Sequence, residues 1–198
     1  MAYNYFFQYI PQDRINVIFE IGANDGSDSV TLYNYYKPKQ YHLFEPNLAK
    51  KEILNSKLNK YDIKINNKAI FDKKGYTDFY ICKSNSGASS ILGKVKTEFC
   101  KIADKEQNMP QEQHIKRINE YCTDIDWEKI QVETITLNDY CIENNVENID
   151  LICIDVEGVG LTVLKSLKEK LKGVKYIISE CDYGFTRENE ETFEEINS

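Results

Sequence analysis

The feature that most constrains this fold is a set of short, continuously apolar segments separated by helical ones. Val17–Ile21 ends abruptly at Gly22, and the most apolar segment, 149–154, ends at Asp155. Such uninterrupted runs are typical of strands buried on both faces. Residues 27–36 form a helical pattern that stops before a proline. The sequence therefore predicts an α/β fold in which helices cover both faces of a mostly parallel sheet.

The remaining elements follow from the same patterns and from their turn residues. Strands are predicted at 41–45, 63–71, 77–82, 132–135 and 174–179, and helices at 47–59, 95–104, 111–122, 161–171 and 187–196. Thr136 and Asp139 have the spacing of a capping box that opens a short helix. Gly173 stands where a helix C-terminal cap is expected. The Ser- and Gly-rich segment 84–93 is predicted to be a loop.

Composition and charge exclude several classes of protein. The 198 residues carry 25 Lys and Arg against 32 Asp and Glu, a net charge of −7, which argues against a nucleic-acid binder held by diffuse positive charge. No apolar run approaches the roughly 18 residues of a membrane span. The N-terminal residues lack a signal-peptide pattern, so we expect a cytoplasmic protein. The six cysteines contain no C-x-x-C pair, so we expect reduced thiols and no zinc site.

The turn after the first strand indicates which cofactor the chain binds. Ligands of parallel α/β sheets bind beyond the carboxyl ends of the strands. The turn reads GANDGS from residue 22, so Asn24 and Ser27 stand where a dinucleotide-binding G-x-G-x-x-G has glycine. A nicotinamide oxidoreductase is therefore disfavoured. Glu20 and Asp25 would repel a phosphate but would receive an ammonium group, which fits S-adenosylmethionine.

A second acid strengthens this interpretation. Glu45 follows Gly22 by 23 residues in a strand, helix, strand unit, which places its carboxylate at the end of the neighbouring strand. A carboxylate there can accept hydrogen bonds from both ribose hydroxyls. The structural alternative is that the glycines only form a turn and that Glu45 is a surface acid before Pro46. The two features at this separation favour cofactor binding.

Six motifs in order resemble one family. They read FEIGANDGSDS, FEPN, NKAIFDKKG, SGASS, ETITLNDY and IDLICIDVEG, and the resemblance covers residues 17 to about 181. In order and approximate spacing they resemble the FkbM-type methyltransferases, a class I group that depends on S-adenosylmethionine. The resemblance implies a Rossmann-like three-layer sandwich and O-methylation of a sugar or polyketide hydroxyl. The cofactor positions it implies are Glu20, Gly22, Ala23, Asn24, Gly26, Glu45, Pro46, Ala69 and Asp155.

The chain departs from the family pattern at three points. Val159-Gly160 stands where the family commonly has an acid after D-V-E-G, and the segment 94–129 is longer than usual. Class I methyltransferases continue into a final β-hairpin, whereas this sequence stops at Ser198, so we expect that hairpin to be missing. We expect residues 1–198 to form one methyltransferase domain, with 84–129 as a helical insertion or lid before the fourth core strand.

The catalytic residues are expected at the end of the late apolar strand. Methyl transfer to a hydroxyl needs a base close to the hydroxyl proton, and Asp155 is the first candidate and Glu157 the second. The structural alternative is that acids before a helix are favoured by its dipole and its unpaired amides. In a metal-assisted variant, Asp155 with Glu180 or Asp182 would hold a hard cation. Nothing in the spacing requires a metal.

The function predicted from sequence is therefore S-adenosylmethionine-dependent O-methylation of a carbohydrate or related metabolite. The expected partner is a small-molecule or saccharide acceptor, and neither nucleic acid nor a membrane span is expected. The alternative is a methyltransferase-like binding or scaffold module that has lost turnover. The acid missing after Gly158 favours this alternative.

Overall fold

One sheet contains five of the eight strands found in the described residues. The structure is a computed structural model that describes residues 3–106, 109–180, 186–192 and 195. Its strands are β1 (Val17–Ile21), β2 (Gln40–Phe44), β3 (Lys64–Asn66), β4 (Ala69–Ile70), β5 (Gly75–Cys82), β6 (Trp127–Ile135), β7 (Leu151–Ile154) and β8 (Tyr176–Ser179). Its helices are α1 (Ser27–Tyr36), α2 (Lys51–Leu58), α3 (Thr97–Glu106), α4 (Gln111–Tyr121), α5 (Leu137–Glu143) and α6 (Gly160–Lys165).

The five-stranded sheet has the order β3-β2-β1-β7-β8. All four neighbouring pairs are parallel, and Phe19 of β1 stands opposite His42 of β2 and Ile152 of β7. The chain leaves β1 toward β2 on one side and returns as β7 on the other, so the strand order reverses at β1. The predicted parallel sheet is confirmed, and ligand sites of such sheets lie at this reversal.

Helices cover both faces of this sheet because successive strand side chains point to opposite faces. On one face, residues of α1 and α2 such as Leu32 and Leu54 share an apolar cluster with Ile18 of β1. On the other face, Tyr140 of α5 packs edge to face against Phe19, with ring centroids 5.8 Å apart. The predicted helices at 95–104 and 111–122 are present as α3 and α4, so the helical insertion before the fourth core strand is confirmed.

The predicted strand 63–71 is wrong as a single element. The structure divides it into β3, in the five-stranded sheet, and β4, in a second sheet of order β4-β6-β5. Two asparagines stand at the division, and their side-chain amides bond to backbone carbonyl groups of the β2 segment. Asn66 Nδ2 donates to Leu43 O, and Asn67 Nδ2 donates to Glu45 O.

The predicted helix 161–171 is interrupted. Helix α6 ends at Lys165, and a separate 3-10 helix covers Lys168–Gly173. Ser166 lies in the break, where its Oγ donates to Val163 O and accepts from Leu137 N of α5. The side chain thus competes with the helical backbone bonds. Gly173 is the last residue of the 3-10 helix and does not adopt the left-handed cap conformation that was predicted.

The predicted acidic helix 187–196 is also wrong over residues 187–192, whereas residue 195 is helical. Residues 187–192 form bends and turns, while 193, 194 and 196 lie outside the described residues. The Glu190 carboxylate accepts hydrogen bonds from the backbone amides of Thr186 and Arg187. These bonds fold the segment into a turn, and Asn189 has a positive φ of 56° that a continuous helix does not allow.

The chain forms two compact units. The first comprises Met1–Tyr76, Val132–Asp155 and Thr162–Glu180, and the second comprises Thr77–Gln131, Val156–Leu161 and Cys181–Ser198. The five-stranded sheet belongs to the first unit, and α3 and α4 belong to the second. The single-domain assignment and the lid role of 84–129 stay predictions.

Two further sequence predictions concern cysteines and membranes. The five described cysteines are all free and buried, and Cys181 lies outside the described residues. None of the described helices has the length and apolar character needed to cross a bilayer.

Two buried tyrosines of the first unit provide a matched test of the core. The Tyr41 hydroxyl donates to Glu20 Oε2 over 2.7 Å, whereas the Tyr36 hydroxyl is buried without a hydrogen-bond partner in the described part of the chain. We expect Tyr41→Phe to lower the free energy of unfolding by about 1–3 kcal/mol, because it removes a donor from a buried carboxyl group. We expect Tyr36→Phe to leave it unchanged or raise it by up to about 1 kcal/mol. Urea unfolding of both variants measures the difference, and equal losses would contradict it.

Candidate functional site

The turn between β1 and α1 folds back over the end of β2. Gly22, Asn24 and Gly26 have positive φ angles of 88°, 48° and 73°. The backbone amides of Gly22 and Ala23 both donate to Phe44 O, at 2.9 and 3.2 Å. The turn that the sequence predicted as a cofactor loop is therefore held against the carboxyl end of the neighbouring strand.

Gly26 is the position in this turn where a side chain is excluded on two grounds. Its left-handed backbone disfavours other residues. In addition, a Cβ atom there would lie 2.9 Å from Cδ2 of Leu54 in α2. The missing side chain thus lets α1 begin directly against α2, which brings the turn close to the sheet.

Glu45 links the two turns at the carboxyl ends of β1 and β2. Its Oε2 accepts from Asn24 N and its Oε1 accepts from Asn47 N, both at 2.8 Å. The side chain is 6% exposed, and Pro46 beside it is buried. Each carboxylate oxygen has two acceptor sites, so each can receive one further donor. Glu45 stands at the end of the neighbouring strand, and its burial excludes the surface alternative, while its contact with ribose hydroxyls stays a prediction.

Burial raises the pKa of Glu45 to about 7, although the backbone hydrogen bonds from Asn47 and Asn24 and the charge of Lys50 act in the opposite direction. Desolvation destabilises the charged carboxylate more than these contacts stabilise it. Glu45 therefore changes charge near neutral pH. A ligand donor that prefers the ionised form can shift its protonation equilibrium toward the carboxylate.

Glu20 is the second buried acid of the first unit. It is 1% exposed, and its Oε2 accepts from Ser29 Oγ at 2.5 Å and from Tyr41 at 2.7 Å. Burial raises its pKa to about 7, the hydrogen bonds from Ser29 and Tyr41 oppose the rise, and the charges of Asp28 and Asp155 add to it. Glu20 thus ties α1 to β2, and its part in cofactor binding stays a prediction.

Asp28 and Asp155 extend this acidic group. Burial raises the pKa of Asp28, and the nearby Asp155 raises it further. Carboxylates that lie close enough to repel one another favour a cationic ligand, which would relieve their repulsion. Asp25 differs, because Lys57 forms an ion pair with it at 2.8 Å. Burial alone would raise the pKa of Asp25, but the hydrogen bonds from Lys57 and Ser27 hold it below its usual range.

Asp155 and Glu180 stand at the carboxyl ends of β7 and β8. Asp155 N donates to Ile21 O at the end of β1, and Glu180 N donates to Ile154 O. One carboxylate oxygen of each lies within 4.8 Å of the other. Both are oxygen ligands of the kind that hard cations prefer. The other residue of the metal-assisted alternative, Asp182, lies outside the described residues.

Ala69 lies in β4 and pairs with Thr134 of β6. It is buried, and it stands in the second sheet instead of at the end of β3. The cofactor contact that the family resemblance implies for this position stays a prediction.

Glu157 belongs to the second unit, where it is paired with a cation. Its carboxylate lies 2.9 Å from the Arg187 guanidinium, which is 1% exposed. The same guanidinium donates to Gly93 O and to Ala88 O. Ser90 Oγ also donates to Glu157 O. Glu157 is therefore held in place by a buried ion pair, in a left-handed conformation with a φ of 56°.

A pocket of about 450 Å³ lies within the second unit. Its wall combines aromatic, polar and charged side chains. The lining residues are Asn85, Ala88, Val95, Phe99, Cys100, Met109, Gln113, Lys116, Arg117, Glu120, Tyr121, Glu157, Thr186 and Arg187. Its volume is within the range of small-molecule sites. The pocket is built mostly from the segment that the sequence predicted as a lid.

Two residues of these sites were missed in the sequence. Asp28 carries a signal, since it is an acid in the first turn of the helix that follows the glycine turn. Arg187 carries a weaker signal, because it is a single basic residue in an acidic C-terminal segment. Its burial depends on carbonyl groups some 94 and 99 residues away in the chain, which local patterns do not show.

Comparison with known proteins agrees with this geometry. A curated relative, the 2-O-methyltransferase NoeI of Sinorhizobium fredii (strain NBRC 101917 / NGR234), is 28% identical over 171 residues, which cover 83% of this chain and 62% of that protein. The crystal structure of methyltransferase FkbM from Methylobacillus flagellatus KT superposes with a TM-score of 0.50 at 11% identity, covering 83% of this chain and 32% of that one. The structural likeness shows a shared fold. This chain spans less than two thirds of the length of either relative.

The family model for the methyltransferase FkbM domain matches residues 20–198. The match includes the glycine turn, Glu45 and the strand end at Asp155, and it extends over most of the chain. By this match, the chain belongs to the FkbM methyltransferase domain family.

Proposed function

We propose that this protein is an S-adenosylmethionine-dependent O-methyltransferase that acts on a hydroxyl group of a carbohydrate or related metabolite. The observation that carries the proposal is Glu45. Its buried carboxylate is clamped by the amides of Asn24 and Asn47 at the reversal of strand order. A ribose diol needs two acceptors at this place, and the two carboxylate oxygens supply them.

The charges of the first unit also suit this cofactor. The charges of Asp28 and Asp155 add to the rise in the pKa of Glu20, and the charge of Asp155 raises the pKa of Asp28. A pyrophosphate would add negative charge to this group, whereas the amino group of S-adenosylmethionine would reduce its repulsion. We therefore propose that Glu45 binds the ribose and that backbone groups of the turn 22–26 contact the cofactor. The acidic group would bind the amino group.

The residues of the chain then have to align the acceptor and remove its proton. Bound S-adenosylmethionine supplies a methyl group on a sulfonium that is already activated for displacement. Asp155 is the proposed base because it ends β7 beside β1, and Glu157 is the second candidate. Holding the hydroxyl in line with the methyl group supplies most of the rate acceleration.

The pocket of the second unit is the proposed acceptor site. Asn85, Gln113 and Glu120 offer hydrogen-bonding groups, and Tyr121 and Phe99 offer flat apolar surface. This mixture suits a polyhydroxylated ring, which presents hydroxyl groups at its edge and C–H groups on its faces. The relative NoeI is named a 2-O-methyltransferase, which supports transfer to oxygen.

One observation favours the alternative of a binding module without turnover. The Glu157 carboxylate is engaged by Arg187, and a salt bridge makes a carboxylate a weaker base. This leaves Asp155 as the residue on which turnover depends. The metal-assisted variant would instead use Asp155 and Glu180, and loss of activity in a chelator would support it.

The first prediction concerns the affinity for S-adenosylmethionine. We expect affinity to rise between about pH 6 and pH 8, because the Glu45 pKa is about 7 and its ionised form, which accepts from both hydroxyl groups, is the major form only above that pH. The rise is at most about tenfold per pH unit for one group. Glu45→Gln should weaken binding and flatten this dependence, and Glu20, with a pKa also about 7, accounts for the remainder.

Calorimetry at three pH values measures this effect, with Glu52→Gln as the control because Glu52 is an exposed acid on α2. The control should bind as the wild type does at every pH. Equal pH dependence in wild type and Glu45→Gln would contradict the ribose assignment. The absence of any binding at millimolar cofactor would reject the enzyme proposal.

The second prediction separates catalysis from binding. Asp155→Asn should lower the rate of S-adenosylhomocysteine formation by about 10²–10⁴-fold, which is the usual contribution of a general base. Cofactor affinity should fall by a much smaller factor than the rate, because asparagine keeps an acceptor oxygen although it loses the charge assigned to the amino group. The assay uses a panel of glycosides, with exposed Asp13→Asn as the control.

Two outcomes would count against this assignment. Unchanged turnover in Asp155→Asn would remove Asp155 as the base and leave Glu157 to be tested in the same way. Cofactor binding without turnover on any hydroxylated acceptor in the panel would favour the inactive binding module.

A further inference from the structure

Two cysteines of the second unit lie in contact. Cys100 of α3 and Cys122, the residue after α4, form a small buried cluster with Val95. Phe99, Ile118 and Tyr121 pack against this cluster. The two Sγ atoms are 2.8 Å apart. This sulfur–sulfur contact brings α3 and the end of α4 together within the second unit.

This distance is close to that of a covalent bond. A disulfide has an S–S length of roughly 2.05 Å, so the two sulfurs need to approach by less than about 1 Å. Cys82, a buried cysteine of the same unit, differs because its sulfur contacts oxygen atoms of Ser84, Glu120 and Asp126. Cys100 and Cys122 are therefore placed to form a disulfide with each other, whereas Cys82 is not.

We propose that Cys100 and Cys122 are a reversible oxidation site, at which a small-molecule disulfide converts the two thiols into a disulfide that links α3 to the end of α4. The inference is independent of the proposed methyltransferase activity. It adds a second chemical state to the segment between residues 100 and 122, and it is compatible with the reduced thiols of the structure.

Access decides which thiol reacts first. Both side chains are largely buried, at 1% and 7% exposure, but Cys100 lines the 450 Å³ pocket. A reagent that enters the pocket therefore meets Cys100. Cys122 is then the resolving thiol, because its Sγ lies 2.8 Å from the Sγ of Cys100.

The exchange balances in atoms and electrons. The Cys100 thiolate attacks one sulfur of the reagent, forms a mixed disulfide and releases the first small thiolate. The Cys122 thiolate then attacks Cys100 Sγ, and the second small thiolate leaves. The two protein sulfurs are oxidised and the reagent disulfide is reduced. The two protons lost by the cysteines end on the two released thiols.

The resolving step depends on pH in a definite direction. In the reduced protein, burial, together with the hydrogen bond and charge of Cys100, raises the pKa of Cys122 to about 12, although the hydrogen bond of Thr97 and the charge of Arg117 act in the opposite direction. In the mixed disulfide the contributions of Cys100 are lost, but burial still raises this pKa. Only a small fraction of Cys122 is thiolate at neutral pH, and that fraction grows about tenfold per pH unit. The rate of crosslinking should therefore rise with pH throughout the range in which the protein is folded.

The experiment treats the full reduced chain with excess oxidised glutathione at about pH 8.5, traps remaining thiols by alkylation and maps the peptides by mass spectrometry. We expect a mass loss of about 2 Da, one peptide pair joined through Cys100 and Cys122, and full reversal by dithiothreitol. The melting temperature of the oxidised chain should rise by about 5 °C or more, because the crosslink constrains the unfolded chain.

Three variants complete the test. Cys100→Ala and Cys122→Ala should each abolish the crosslink, and Cys82→Ala, the matched control, should keep it. A persistent glutathione adduct on Cys100 without the crosslink would overturn the proposal, as would a crosslink that involves other cysteines. Unmodified Cys100 and Cys122 after prolonged treatment of the folded chain would also overturn it. The peptide map of the wild type decides the matter even if an alanine variant fails to fold.

Discussion

The position of β1 between β2 and β7 is the constraint on which the rest of the first unit depends. The Asp150 carboxylate accepts from the amides of Asn16 and Val17 at the start of this strand, at 2.7 and 3.0 Å, and pairs with Lys175. At the other end, Ile21 O accepts from Asp155 N. This register carries β1, β2 and β7 to the same edge of the sheet. The acids that follow them are thereby gathered into one place.

Gathering buried acids at one edge carries an electrostatic cost that a ligand can relieve. Glu20 and Glu45 both have pKa values near 7, mainly because of burial. Each is tied to hydrogen-bond donors that hold its position: Ser29 and Tyr41 for the first, and two backbone amides for the second. Donors that prefer the ionised form, such as hydroxyl and ammonium groups, would be bound more tightly here than in water. The hydrogen bonds therefore hold both carboxyl groups in place, and the charge of each group responds to a ligand and to pH.

In the second unit, a buried cation holds separate segments of the chain together. Arg187 gathers the carbonyls of Ala88 and Gly93 and the carboxylate of Glu157 around one guanidinium. Its planar set of donors can satisfy several acceptors at once, which a lysine cannot do. The segments around residues 90, 157 and 187 are thus held together beside the pocket. The pair of Cys100 and Cys122 stands in the wall of the same pocket.

The sequence by itself determined the parts that local patterns encode. Continuous apolar runs identified β1 and β7, proline and glycine positions bounded α1, and the separation of Glu45 from the glycine turn located it at the end of β2. Tertiary structure decided the rest, because long-range partners outweigh local preference. A predicted strand divided at Asn66 and Asn67, Ser166 interrupted a predicted helix by bonding to α5, and Arg187 paired with Glu157. The proximity of Cys100 to Cys122 likewise depends on how α3 and α4 pack, which no pattern within either helix specifies.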